Sequence, residues 1–281
     1  MDIRKPAVAG RFYPSDPDEL KDMIRTLDEN KSFPCSREGK ALSSGGKILG
    51  SVVPHAGYIF SGPHAVCFFK LLRERKISFD TAVIIHPLHV SWGGSCVTDD
   101  HDAWETPLGV VELDLEFISN IKIPASRNAH AQEHSAEVMV PFLQYFAGNP
   151  FRIVPLGMQD QTPEEAENIA HRIFDTEKKL LRRVLIVASS DFSHYIDPDT
   201  GYRKDQLVLD EIFNMEPASV YRVIHEKNVS ACGYGPIMTL IHYAKLQCEI
   251  PEITVLSRGH SGQVHPSHEV VDYISILFAC S

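Results

Sequence analysis

The chain has 281 residues, 43% hydrophobic and 23% charged, the profile of an ordinary globular protein, which excludes intrinsic disorder. Its formal net charge of −10 opposes a phosphate backbone, and the basic runs at 73–76 and 178–183 read as solvated helix ends, so no nucleic acid is expected as a partner. No apolar run is long enough to span a bilayer and the start, Met1-Asp2-Ile3-Arg4, lacks the apolar core of a signal peptide, so no membrane association and a cytoplasmic location are expected.

In chain order, hydrophobic periodicity predicts a helix over 16–27, then a polar loop over 30–44 closed by Gly45-Gly46. A strand over 48–53, a helix over 61–75 and strands over 82–85 and 110–113 follow. Next come a helix over 135–146, a strand over 151–156, a helix over 163–177 and a strand over 184–188. Helices over 204–214, 217–226 and 236–247 precede strands over 253–256 and 270–278, the last long and apolar enough to be central. Pro163 and Pro236 suit a first helical turn, where the missing amide proton costs nothing. With no internal repeat, alternating strands and helices indicate one α/β domain over 1–281, a mixed central sheet flanked by helices.

The six cysteines form no C-x-x-C pair and are spread through a long chain, so they read as reduced thiols, most of them core fillers; Cys67 and Cys280 lie inside apolar patterns.

Three predicted strands deliver a histidine within a few residues of their ends. The first runs into Pro54-His55-Ala56-Gly57-Tyr58, the second into His86-Pro87-Leu88-His89, and the third into Ser189-Ser190-Asp191-Phe192-Ser193-His194. Ligands of open α/β sheets bind outside the carboxyl ends of the strands, so these loops are expected to converge on one cleft. A fourth segment, Ala231-Cys232-Gly233-Tyr234-Gly235-Pro236, puts a thiol at a helix N-terminus, where the dipole favours the thiolate, and its glycines allow left-handed or tightly turned backbone. A fifth, Gln132-Glu133-His134-Ser135, opens a helix; capping explains much of it, and a role in the cleft is a second reading. Singly, any of these histidines is more often a surface or satisfied core imidazole, and Asp191 is equally a turn cap. His64, His101, His130 and the remaining histidines are read that way.

These segments, with Arg4-Lys5-Pro6-Ala7-Val8-Ala9-Gly10-Arg11-Phe12-Tyr13-Pro14 at the start and Ser261-Gly262 near the end, resemble the Memo family in order across nearly the whole chain. The resemblance implies a fold like that of the class III extradiol dioxygenases and a cleft in which His55, His89 and Cys232 match the family's metal ligands, with Asp191 and His194 beside them. It also implies a partner, since microbial members belong to a three-part system with a radical-SAM protein. Two positions depart from the family's usual Gly-Pro-Asn/Ser-His: His86 stands where a glycine is usual and Leu88 where a polar residue is. His86 is therefore an accessory candidate, and Glu133 and His134 of the fifth segment are two more.

The resemblance to the extradiol dioxygenases implies Fe(II) first; a thiolate in place of their carboxylate accommodates Cu or Zn as well, because ligand type alone does not name the metal. The expected chemistry is that of a non-haem iron oxidoreductase acting on an unidentified small molecule or peptide. His194 would be its acid–base group, oriented by Asp191. The competing class is a metal-binding or interaction module without turnover. A cysteine hydrolase using Cys232 and His194 ranks last, because no elbow or oxyanion motif accompanies them.

Overall fold

The computed structural model describes residues 1–30, 32, 33, 35, 38, 39 and 46–280. Most of the predicted loop at 30–44, and Gly45, lie outside the described residues.

The N-terminal arm forms β1 (Ile3–Arg4) and leads to α1 (Pro17–Glu29), which Asp16 caps by accepting from the N–H groups of Asp18 and Glu19. β2 (Glu38–Gly39), β3 (Lys47–Val53), α2 (Tyr58–Glu74) and β4 (Thr81–Pro87) follow. Next are β5 (Cys96–Thr98), β6 (Ala103–Thr106), β7 (Gly109–Glu112), α3 (Leu115–Ile121), α4 (Arg127–His130) and α5 (Val140–Phe146). The second half comprises β8 (Arg152–Met158), α6 (Pro163–Leu180), β9 (Val184–Ser189), β10 (His194–Ile196) and α7 (Pro198–Phe213). It ends with α8 (Pro217–Glu226), α9 (Tyr234–Gln247), β11 (Pro251–His260) and β12 (Val270–Cys280).

Among the described residues, one sheet runs β2-β11-β12-β3-β9-β4-β8-β5, with β10 added on β12, and a smaller one runs β1-β6-β7. The four strands β3, β9, β4 and β8 are parallel, whereas β11, β12 and β5 pair antiparallel, so the sheet is mixed as expected. β12 is interior, between β11 and β3. The parallel strands are buried along nearly their whole length, as strands covered on both faces must be. One helical layer is α2 with α1 and α5; the other is α9 with α6 and α8. No helix of the described residues is long and apolar enough to cross a membrane.

Each predicted helix and strand has a counterpart, with three instructive differences. The predicted helix over 135–146 is a single 3₁₀ turn, Glu137–Met139, followed by α5, because Glu133 captures the N–H groups of His134 and Ser135 and holds that stretch out of a helix. α7 begins six residues before its predicted start: Asp197 caps it, and Gly201 sits within it because a Cβ there would lie 2.3 Å from Asp272 Oδ2. The strand predicted at 110–113 belongs to the small sheet.

The reading of all six cysteines as reduced thiols is overturned. Cys35 is bonded to Cys67 and Cys248 to Cys280, with Cα separations of 5.5 and 6.1 Å, leaving Cys96 and Cys232 free. The second bond joins the C-cap of α9 to the last residue of β12. Both pairs are made by tertiary proximity, which linear spacing does not reveal.

Candidate metal centre

Because β3, β9 and β4 are adjacent and parallel, their carboxyl ends open on one side of the sheet. His55, Asp191 and His89 are each the second residue past the end of β3, β9 and β4 respectively. They converge there, and the Glu133–Ser135 segment closes over them. One ring nitrogen from each of His55, His89 and His134 lies within 4.8 Å of the others. The three form a gradient from buried (His55) through half-buried (His134) to exposed (His89), so the cluster opens on the His89 side.

Hydrogen bonding fixes which nitrogen His55 and His89 offer. The Ser189 hydroxyl donates to the Ser135 carbonyl at 2.8 Å, and it lies 2.7 Å from His55 Nδ1. Having spent its proton, Ser189 Oγ accepts from His55 Nδ1–H, which leaves a lone pair on Nε2. His89 Nδ1 is 3.1 Å from Glu133 Oε1, an oxygen that only accepts, so His89 too presents Nε2. His134 Nδ1 lies 3.3 Å from the same oxygen. Imidazoles anchored at Nδ1 by a hydroxyl or carboxylate, as His55 and His89 are, keep Nε2 available and fit a metal ion, whose charge is left to be balanced.

Burial, then the neighbouring His134 and His89, holds His55 well below the ordinary imidazole pKa, so its ring is neutral. Burial also lowers His134. Burial alone would raise Glu133, but the hydrogen bond from His89 and the nearby His86 outweigh it and keep the carboxylate ionised. Glu133 Oε1 accepts from the N–H groups of His134 and Ser135, and Oε2 from that of His89.

Cys232 Sγ lies 3.3 Å from His55 Nε2, about the ligand-to-ligand edge of a tetrahedral site with bonds of roughly 2.0–2.3 Å. It belongs at the margin of the cluster, because the three mutually close ligand atoms are those of His55, His89 and His134. Sequence reading placed His134 as an accessory; the fold makes it a member. The expectation of a depressed Cys232 pKa is also reversed: burial and the Asp191 carboxylate push the thiol well up. The N–H that reaches its sulfur at 3.3 Å is that of Asp191. Gly233 has φ −111°, so its role is space rather than left-handed backbone; a Cβ there would meet the Ser189 carbonyl at 2.2 Å.

Asp191 braces His55 rather than His194. Its Oδ1 accepts the His55 N–H at 2.8 Å and its Oδ2 is 4.0 Å from His55 Nε2. Burial raises its pKa to about 6, against the hydrogen bond from His55. His194 is half-buried, and its Nδ1 is held 2.8 Å from the Ser230 carbonyl. It stands beside the cluster, close enough for its charge to act on His55 and Asp191.

Sequence reading missed the structural use of the N-terminal motif. Arg4 and Glu137 form a buried ion pair at 2.6 Å, and Glu137 also accepts from Ala7 N, Val8 N and Tyr13 Oη. Arg4 further donates to the carbonyls of His130 and Glu133, and the Phe12 ring lies 4.8 Å from that of His134. The arm therefore clamps the segment carrying Glu133 and His134. An Arg and a Glu 133 positions apart give no local signal of this.

In a solved structure, that of uncharacterized protein JW3007 from Escherichia coli K12, 12% of aligned residues are identical, with 82% of this chain and 99% of that one covered at a TM-score of 0.48. Much nearer in sequence are MEMO1 family proteins of archaea. That of Methanopyrus kandleri is 37% identical over 98% of both chains. That of Sulfolobus acidocaldarius is 38% identical over 98% of this chain and 99% of its own. That of Methanothermobacter thermautotrophicus is 40% identical over 93% and 95%. The family model for Memo-like proteins matches residues 4–277, and the chain belongs to the Memo family.

Proposed function

We propose that this protein binds one metal ion at the cleft, Fe(II) in the first place with Cu or Zn as alternatives, and uses it as an oxidoreductase acting on a small molecule or peptide. The observation that carries the reading is the convergence of three imidazoles within 4.8 Å at the carboxyl ends of parallel strands, with the Cys232 sulfur 3.3 Å from His55 Nε2. His55 and His89 are the first two ligands. Cys232 as thiolate and His134 as neutral imidazole are the donors for what remains. Because the thiol is held protonated without metal, binding through Cys232 releases a proton and weakens as pH falls.

A bound ion of this type supplies Lewis acidity and, for iron or copper, electron transfer. The residues around it do the rest. Glu133 and Ser189 keep the imidazoles oriented, and His194, half-buried with its Nδ1 tied to Ser230, is the group we assign to take or give a proton at its Nε2. The exposed edge at His89 is where a ligand enters.

The donor set also favours a second reading. If His134 and Cys232 both bind, four protein ligands close the coordination sphere, as in structural sites, and the protein holds metal without turnover. Metal analysis of protein purified without added metal or chelator, followed by anaerobic Fe(II) loading and an oxygen-uptake screen with catechols, separates the two. One equivalent of metal with catechol-dependent uptake supports the oxidoreductase. Metal without uptake supports the closed site, and no metal under any loading refutes both.

A further inference from the structure

His86 is fully buried, as are His130 and Ser135. Its Nε2 is 3.2 Å from His130 Nε2, and its Nδ1 is 3.0 Å from Ser135 Oγ and 3.1 Å from the Pro87 carbonyl. Room for it comes from across the sheet: His86 pairs with Gly157 of β8, where a Cβ would lie 2.5 Å from Leu88 and 3.2 Å from His86. Both departures from the usual family motif are thus accommodated by one glycine.

Donor accounting then assigns His86 a task. Ser135 Oγ has one proton and three polar neighbours: His86 Nδ1, the Pro87 carbonyl at 3.1 Å and Glu133 Oε1 at 2.9 Å. The last two only accept. If His86 carries its proton on Nδ1, it donates to Ser135 Oγ and the Pro87 carbonyl, and the Ser135 proton is free for Glu133. The His86 Nε2 lone pair then receives the His130 Nε2–H. The opposite arrangement satisfies the 3.3 Å contact of His130 Nδ1 with the Ser126 carbonyl but sets Ser135 Oγ against Glu133 Oε1, lone pair to lone pair. The first leaves fewer buried acceptors unpaired and is preferred.

We propose that His86 is a positioning residue of the metal centre: backed by His130, it turns the Ser135 hydroxyl onto Glu133 and so fixes the ring of His89 through that carboxylate. It rests on the reading of His89 as a metal ligand, but its effect on the His89 ring exists without metal. Without His86, the Ser135 proton is divided between two acceptors, Glu133 gains freedom, and His89 loses its single tautomer.

Two measurements test this, on wild type and on His86→Leu, His86→Asn and Ser135→Ala. The Asn amide restores a donor near the Nδ1 position. In ¹⁵N-imidazole NMR of metal-free protein, His89 in wild type should show one Nδ1–H tautomer. His86→Leu and Ser135→Ala should each give exchange-averaged shifts, and His86→Asn should recover the wild-type pattern. In Co(II) titrations, His86→Leu should weaken affinity about tenfold, the low end for outer-shell changes, with a moved d–d band, and His86→Asn should restore both. An unaltered His89 spectrum in Ser135→Ala, or in a folded His86→Leu, overturns the proposal, as does failure of Asn to restore it. Wild type that shows the single tautomer but takes up no Co(II) instead overturns the metal-centre reading.

Discussion

The Arg4–Glu137 pair permits a prediction with a worked magnitude. Their side chains are 2% and 1% exposed and 2.6 Å apart. Arg4→Ala leaves the Glu137 carboxylate buried with only the Ala7 and Val8 N–H groups and the Tyr13 hydroxyl as donors; it also takes the Arg4 donor from the Glu133 carbonyl and from that of His130, which keeps the Glu133 N–H at 3.2 Å. Breaking a buried pair on one side costs about 3–5 kcal/mol. With an unfolding entropy of roughly 2.1 cal/mol/K per residue over the chain, that is a fall in Tm of about 5–8 °C. The damage should be directional as well, because the two carbonyls that lose Arg4 as a donor lie in the segment carrying Glu133 and His134. Metal affinity measured well below the new Tm should therefore fall, while α6 and α9, on the other layer, keep their amide-exchange protection. Removing both partners as Arg4→Met with Glu137→Leu should cost less than Arg4→Ala alone, since no uncompensated charge is left. Scanning calorimetry and chemical denaturation measure this. A loss below about 1 kcal/mol for Arg4→Ala, or a double variant worse than the single, would falsify the clamp.

Under denaturing, non-reducing conditions, thiol titration should find two free thiols out of six, and six would refute both cystines. Reduction should lower Tm, because closing a loop over a separation of 32 residues contributes about 3–4 kcal/mol. Asp272 is buried against Asp205, and burial and that neighbouring acid raise its pKa to about 8. Its folded pKa exceeds its unfolded value, so the folded state binds the extra proton and stability declines as pH rises from about 4 to 8. Asp272→Asn should flatten that slope in urea melts at several pH values, and an unchanged slope would point to other groups. His194→Ala should keep metal stoichiometry while abolishing turnover, because its ring is tied to Ser230 beside the cluster; loss of metal equal to that of His55→Ala would move His194 into the coordination sphere.

What was legible in the sequence follows from where the information lies. Apolar strands ending in a histidine are a local pattern, and parallel pairing of β3, β9 and β4 converts that pattern into proximity, so His55 and His89 could be found by reading along the chain. His134 was harder, because its segment has the residues of a helix start; what brings it into the cluster is the Glu133 carboxylate accepting from the N–H groups of His134 and Ser135 and from that of His89, a choice made only once β4 lies beside it. The cystines were invisible for a similar reason, since each joins elements that meet only in three dimensions. Cys232 is the sharpest case. Position before a helix suggested a thiolate, but the dipole argument assumes solvent access, and here burial together with Asp191 outweighs a partial charge at the helix end. The same burial keeps the thiol protonated without metal, so the proposed ligand role of Cys232 requires the loss of that proton. Under the proposed function, a cation arriving between His55 and His89 would supply the positive charge that burial withholds, and thiolate formation and metal binding would then be a single event.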